Sequence, residues 1–376
     1  MFALSIVVAA MLAGSLVYCV LIVLAARSYV GHASRLSHQA SQKLAPLSVL
    51  KPLSGIDEGL EQNLRTFFAQ DHPNFEILFA VRSADDPAVG IVEALQEQFP
   101  ARTSRLIVTG EPLYPNAKVF SLDCMLAGAR HDLLVMSDSD IRIPPGFLQS
   151  IADEFGDPHV ALATCPYRAV AGRSFWSTLE AQGMNTEFLA GLLVARMLEG
   201  VKFAVGPTVA ARKSALQAIG GLAVLKDYLA EDFVMGKFAA EAGFGVILSR
   251  NIVEHRIGSQ GWRANASHRI RWVRSTRRSR PLGYVGQLFT YPLPLALLLC
   301  GLEPAWWPAL IAAFAFRAAA AWSTSVWILR AQPHWLLLPV EEILSFLFWL
   351  AGFFGNTIVW RGRRYYLFPD GRFEPR

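Results

Sequence analysis

Two aspartates one residue apart close a strongly apolar run: residues 132–136 read Asp-Leu-Leu-Val-Met and lead straight into Ser137-Asp138-Ser139-Asp140. The apolar run suits a buried strand, and the polar residues mark where it leaves the sheet. Once out of the extended geometry, Asp138 and Asp140 can converge on one ion. Two hard oxygen ligands suit Mg2+ or Mn2+, with diphosphate oxygens completing the shell. Such an ion would neutralise charge on a departing nucleoside diphosphate. A capped turn is the plainer reading of the same four residues. A second acidic pair, Asp85-Asp86, follows another apolar run, and a third, Glu231-Asp232, precedes an amphipathic stretch over 234–242. Acids at a helix start also serve as caps that favour the dipole. Further on, Arg263, Arg269, Arg271, Arg274, Arg277, Arg278 and Arg280 surround Trp272. This density suits a polybasic collar on anionic lipid, and arginine forks also suit a diphosphate.

These side chains need a scaffold. From residue 47 to about 281, apolar runs alternate with helical patterns, the signature of an α/β domain. Strands are expected over 48–50, 75–82, 105–109 and 132–136, and helices over 60–70, 88–98 and 119–130. Open α/β sheets bind ligands outside the carboxyl ends of their strands. Asp85-Asp86 and Asp138/Asp140 both fall at such ends.

Hydrophobic residues make up 53% of the 376 residues, enough for one sizeable polar domain and for membrane spans besides. Residues 2–26 carry no charge. The run lacks the basic start of a signal peptide and is too long for its apolar core, so it is expected to be an anchor. Arg27, Arg35 and Lys43 follow before any acid, which places the polar region in the cytoplasm by the positive-inside rule. The four cysteines show no CxxC spacing and are expected to be free thiols. A second apolar block over about 284–360 is broken at Glu303-Pro304 and at 330–334, giving up to three more spans. Three full spans would export the basic Arg361-Gly362-Arg363-Arg364 segment, so residues 284–302 are read as one re-entrant or interfacial possibility. Arg317, Glu341 and Glu342, inside this block, must face protein, water or headgroups.

In order, Leu50-Lys51-Pro52-Leu53-Ser54-Gly55, Asp85-Asp86-Pro87-Ala88, Asn116-Ala117-Lys118, Asp138-Ser139-Asp140-Ile141-Arg142, Gly220-Gly221-Leu222, Ala230-Glu231-Asp232 and Arg271-Trp272 resemble the signature of ceramide glucosyltransferases, glycosyltransferase family 21. The resemblance implies an inverting GT-A domain over 45–281, an anchor over 1–27, two to three membrane helices over 282–361 and a short basic tail over 362–376. It implies that Asp85, Asp86, Lys118 and Asp138 bind the nucleotide-sugar and that Asp138 and Asp140 serve Mg2+ or Mn2+. His268, Arg271 and Trp272 would serve the diphosphate or acceptor, and Asp232 would be the catalytic base. The family motif has Gln or Arg three residues before Arg-Trp, where this chain has His268. Bacterial relatives acting on hopanoids are similar over the same stretches and share segments like Tyr291-Pro292-Leu293-Pro294-Leu295 and Trp360-Arg361-Gly362-Arg363-Arg364. The implied activity moves a sugar, glucose first and N-acetylglucosamine second, from a UDP-sugar to a membrane lipid, ceramide first and a hopanoid second. The expected setting is the cytoplasmic face of a bacterial inner membrane, with the bilayer as partner and no nucleic acid. A haloacid dehalogenase-type phosphatase needs Thr or Val where Arg142 stands, and a non-catalytic scaffold has no need of four such aspartates.

Overall fold

The computed structural model describes residues 2–36, 44–360 and 362–376; Lys43 and Arg361 lie outside them. The chain opens with α1 (Phe2–Leu36), uncharged through Ala26. Then come β1 (Leu47–Pro52), α2 (Leu60–Phe68), β2 (Phe75–Val81), α3 (Ala88–Gln98), β3 (Thr103–Val108), α4 (Ala117–Gly128) and β4 (Leu133–Ser137). Each lies within two residues of the stretch expected from sequence. The domain continues through β5 (Ile141–Arg142), α5 (Phe147–Glu154), β6 (Val160–Thr164), β7 (Tyr167–Val170), α6 (Phe175–Gly183) and α7 (Leu189–Glu199). A π-helical turn, Met184–Phe188, joins α6 to α7. Next are β8 (Thr208–Arg212), α8 (Lys213–Ala218), α9 (Glu231–Glu241), β9 (Gly245–Leu248) and β10 (Val253–Arg256).

Seven strands form one sheet in the order β3-β2-β1-β4-β8-β6-β9. β1 runs parallel to both β2 and β4, while β8 is antiparallel to β4 and β6. All seven residues of β2 are buried because both faces are covered. Alternate side chains enter two cores: Val49, Ile77 and Val135 on one face, Leu50, Leu78 and Leu134 on the other. Strand order reverses between β1 and β4, so their carboxyl ends border a crevice. A smaller sheet, β5-β10-β7, lies just beyond.

After the domain come α10 (Trp262–Ser279), α11 (Pro281–Gly286), α12 (Pro292–Leu302), α13 (Trp307–Trp322) and α14 (Leu338–Gly352). Among the described residues, Phe2–Gly31 and Pro304–Ile328 are long and apolar enough to cross a membrane, and a pair bent by 64°, 281–290 with 292–302, counts as a third if taken as one span. The chain approaches α12 beside Gly14 and Ser15, with Ser15 Oγ donating to Phe289 O at 2.8 Å. α12 then packs on Val8 and Leu12, and the path through α13 returns to Cys19, Ile22 and Ala25. These two segments therefore run out and back along α1. α14 is 15 residues long, about 22 Å, short of a hydrocarbon core of roughly 30 Å. It docks on the side of the sheet domain, where the preceding His334 N donates to Gln182 Oε1.

Within the expected basic tail, 362–376, β12 (Arg363–Leu367) and β13 (Phe373–Pro375) form a folded antiparallel sheet with β11 (Thr357–Trp360), which falls at the end of the stretch expected to hold membrane helices. Phe373 N donates to Asp227 O at 2.8 Å, Tyr228 bridges to Arg372, and Leu229 enters the sheet's core. This sheet and the large one thus lie on the same side. α14, too short by this measure to cross, lowers the number of candidate spans in the apolar block, and the bend within 281–302 fits a broken span or a re-entrant segment. All four cysteines are free.

Helix α9 crosses the 203–206 segment at Gly236, where a Cβ would overlap the backbone of Phe203 and Ala204. Gly236→Ala should cost about 1–3 kcal/mol, seen as a Tm lower by roughly 2–10 °C in a thermal-shift measurement on detergent-solubilised protein.

Candidate functional site

The crevice at the ends of β1 and β4 opens into a cavity of about 1250 Å3. Lys118 is its electrostatic hub. Asn116 caps α4, its side chain accepting from Lys118 N at 3.0 Å and Val119 N at 3.2 Å, and so fixes where the lysine points. Lys118 Nζ then sits 2.7 Å from Asp138 Oδ1 and 3.0 Å from Glu231 Oε1. Burial opposes the ammonium charge, but Asp138, Glu231 and Asp232 outweigh it and hold the pKa above that of an ordinary lysine. The same Asn116 donates to Tyr228 O at 2.9 Å, and its backbone N–H donates to Lys226 O. One residue therefore ties the Asp138 end of the sheet to the loop that delivers Glu231 and Asp232.

Asp232 stands in the first turn of α9. Its Oδ1 accepts from Phe233 N at 2.8 Å and its Oδ2 from Gly206 N. Burial first, then the Glu231 charge, push its pKa up to about 6. Glu231 turns toward Lys118 and Asn116, so the two acids occupy different positions.

Asp140 is held by a residue that sequence reasoning missed. β10 pairs His255 opposite Ile141, and His255 Nε2 lies 3.0 Å from Asp140 Oδ2. Burial opposes protonation of His255, but Asp140 outweighs it and raises the pKa. Lys51 was quoted only as part of a motif, yet it is fully buried at the end of β1 and donates to Asp138 O and to Ser137 Oγ. Burial pushes its pKa down to about 7. No local spacing reports either residue, because each partner arrives from a distant strand.

The described residues contain no cluster of three or more His, Cys, Asp or Glu side chains that would form a metal cage. Two adjacent carboxylates do, however, match what Mg2+ or Mn2+ takes from a protein when phosphates and waters supply the rest. Asp140 Oδ1 is buried with no hydrogen-bond partner among the described residues. Asp138 and Asp140 therefore fit such an ion.

The other expected site residues divide. His268, Arg271 and Trp272 line the same cavity as Asp138 and Asp232. Asp85 and Asp86 do not line it; both Asp86 oxygens accept from Gly55 N, at 3.1 and 3.0 Å, and Oδ1 also accepts from Ala88 N. Asp86 thus pins the Leu53–Gly55 turn, and contact with a base would require it to share those bonds. The arginine run is not free for lipid or diphosphate throughout. Arg274, Arg277 and Arg278 donate to Phe353, Phe354, Gly355, Asn356 and Thr357, and Arg280 pairs with Glu199. They satisfy carbonyls left open at the end of α14 and anchor β11.

Residues 7–373 match the model of glycosyl transferase family 21. The chain belongs to that family. Ceramide glucosyltransferase 1 of Caenorhabditis elegans is 32% identical over 219 residues, 57% of this chain and 47% of that protein. Ceramide glucosyltransferase 3 of the same organism is 27% identical over 262 residues, 69% and 56% of the two chains. The chain spans about half the length of the curated relatives it matches. Among solved structures, a mannosyltransferase from Pyrobaculum calidifontis in complex with GDP-Man and Mn2+ is 18% identical, with a TM-score of 0.47, covering 90% of this chain and 99% of that one. Membership of family 21 relates the chain to the ceramide glucosyltransferases. Its His268, at the family's Gln or Arg position, bonds Glu180 through Nδ1 and packs 5.1 Å from Trp272 between ring centroids.

The terminal sheet holds the 227–229 loop immediately before Glu231-Asp232. Phe373→Ala empties much of its small core, a change that costs about 3–5 kcal/mol in a well-packed site. Hydrogen exchange at residues 226–232 should then accelerate by at least about tenfold, while the protected amides of β1 and β2 stay unchanged.

Proposed function

We propose that this enzyme transfers a sugar, glucose in the first instance, from a UDP-sugar to a membrane-lipid hydroxyl, ceramide in the first instance, inverting the anomeric carbon. One observation carries the reading. A single cavity is lined at one end by Asp138, Lys118 and Asp232, and at the other by Tyr18 of α1 with Gln287, Tyr291 and Phe348 of the apolar block. A lipid hydroxyl reaches the acids through such a space while its chains stay in the bilayer. The names of the related ceramide glucosyltransferases support the donor and acceptor classes. The GT-A assignment rests on the parallel β3-β2-β1-β4 half and the acidic turn after β4. Arg27, in the C-terminal third of α1 and directly after its uncharged run, supports a cytoplasmic catalytic domain.

In this reading the donor diphosphate lies over the Ser137–Asp140 turn, with Asp138 and Asp140 able to hold Mg2+ or Mn2+. That ion, when bound, supplies charge neutralisation for the departing diphosphate. His255 keeps Asp140 ionised and oriented, and Lys51 braces the turn from below. Lys118 places Asp138 and Glu231 in register. Asp232 takes the proton of the acceptor hydroxyl as that oxygen attacks the anomeric carbon and the bond to UDP breaks. The backbone donors Gly206 and Phe233 fix the carboxylate's direction.

Purified protein given Mg2+ or Mn2+, a panel of UDP-sugars, and either ceramide or a polyhydroxylated hopanoid should yield a hexosyl-ceramide by mass spectrometry. A hexosamine-bearing hopanoid would instead move the assignment to that acceptor, and no lipid product with any pair would end the lipid reading. Asp232→Asn should lower kcat by about 10²–10⁴-fold with UDP-sugar affinity retained; near-normal turnover would remove Asp232 as the base. Because Asp232 works unprotonated, kcat/KM should rise with pH to about 6 and level above it. A rate that rises as the pH drops below 6 would contradict that role.

A further inference from the structure

The membrane end of the cavity contains a charged group that the transfer chemistry leaves unused. Arg269 Nη1 meets Glu341 Oε1 at 3.4 Å, and Ser345 Oγ bridges them, donating to Glu341 at 2.6 Å and accepting from Arg269 at 3.2 Å. Beside them Tyr291 donates to Glu187 Oε1 at 2.9 Å. All five residues line the cavity that holds Asp232. Tyr167, Phe188, Trp272 and His268 connect the two ends as an aromatic wall, with successive ring centroids 5.4, 5.6 and 5.1 Å apart.

This pair is not built as a structural ion pair. A packing pair of arginine and carboxylate closes two parallel bonds and leaves little capacity over. Here Glu341 is fully buried, yet its Oε2 has no partner among the described residues, and neither do Nε and Nη2 of Arg269. One of the two glutamate oxygens and two of the three guanidinium nitrogens are thus open. The neighbouring pair shows the contrast: Arg317 donates to Glu342 Oε2 at 3.0 Å and to Thr186, and Glu342 Oε1 accepts from Leu293 N, so all of it is used in packing. The glutamate carboxylate also lies against Gly183, where any Cβ would collide with it. Open acceptors and donors side by side match a group that both gives and takes hydrogen bonds, which is what a hydroxyl does.

We propose that Arg269, Glu341 and Ser345, with Glu187 and Tyr291, form an acceptor subsite that binds hydroxyls of the lipid headgroup beyond the one that is glycosylated. The proposal rests on the lipid-acceptor reading above and adds its chemical class: headgroups with at least two hydroxyls are favoured over those with one. Arg269 would donate to, and Glu341 accept from, the second hydroxyl while the first faces Asp232.

The test compares kcat/KM for a ceramide and for the same ceramide lacking its secondary hydroxyl, in wild type, Glu341→Gln and Ser345→Ala. Losing a hydrogen bond to a charged group should leave the wild type favouring the intact ceramide by about tenfold or more. In both variants that ratio should fall toward one, chiefly through KM for the intact lipid. Ser345→Ala removes no charge but takes away the hydroxyl that holds Arg269 and Glu341 in position to receive the second hydroxyl, so it reads the ratio even if Glu341→Gln does not fold. A variant ratio equal to wild type, with both lipids slowed in parallel, would overturn the subsite and leave the lipid reading standing. A wild-type enzyme equally active on both lipids would do the same. If wild type glycosylates neither ceramide, the same ratio is read on a polyhydroxylated hopanoid and its single-hydroxyl analogue; no product from any of these lipids with any UDP-sugar overturns the lipid reading and the subsite with it.

Discussion

The arrangement depends on one ammonium group. Lys118 joins Asp138, at the end of a sheet strand, to Glu231, at the head of a helix far along the chain. Without it, three carboxylates would face one another in a poorly solvated crevice, a repulsion costly in low dielectric. With it, two acids are held at fixed separation and the third, Asp232, keeps a partly buried position with a raised pKa. Asn116 makes this possible twice over, by capping α4 so that Lys118 projects correctly and by bonding the loop that brings Glu231. A cap that elsewhere adds only local stability here sets the geometry of a site.

Much of this was legible because strand ends are legible. A run such as Leu-Leu-Val-Met followed by Ser-Asp-Ser-Asp reports burial, exit from the sheet and an acidic turn in eight residues. His255 and Lys51 were not legible in the same way. His255 reaches Asp140 through pairing of β10 with a two-residue strand, and Lys51 is defined by what closes over it, Phe67 and the Ser137–Asp138 turn. The partners of the arginine run were illegible for a related reason. Composition reports how many guanidinium groups a helix carries, not which carbonyls the fold leaves open nearby, and the end of α14 supplies enough of them to engage Arg274 and Arg277.

The charges in the apolar block divide by the same rule. Arg317 and Glu342 satisfy each other and neighbouring backbone, as buried ions must. Glu341, next in sequence, points to a different neighbour because a helix turns about 100° per residue. The π-helical turn between α6 and α7 contributes as well, since its extra residue shifts the register that brings Met184, Glu187 and Phe188 to the cavity. One helix of the apolar block and one interrupted helix of the polar domain thus meet across the space where chemistry and bilayer adjoin.

The three short strands beyond α14 bear on how the protein comes into being. They grip residues 227–229, which leave the ribosome well before them, and the apolar hairpin of α12 and α13 is made in between. The sheet of seven strands can close as soon as β9 emerges, but the loop bearing Glu231 and Asp232 gains its second support only when translation has passed α14. Synthesis therefore has a built-in order: the acidic loop is laid down early and locked last, after every apolar helix of the chain has been made.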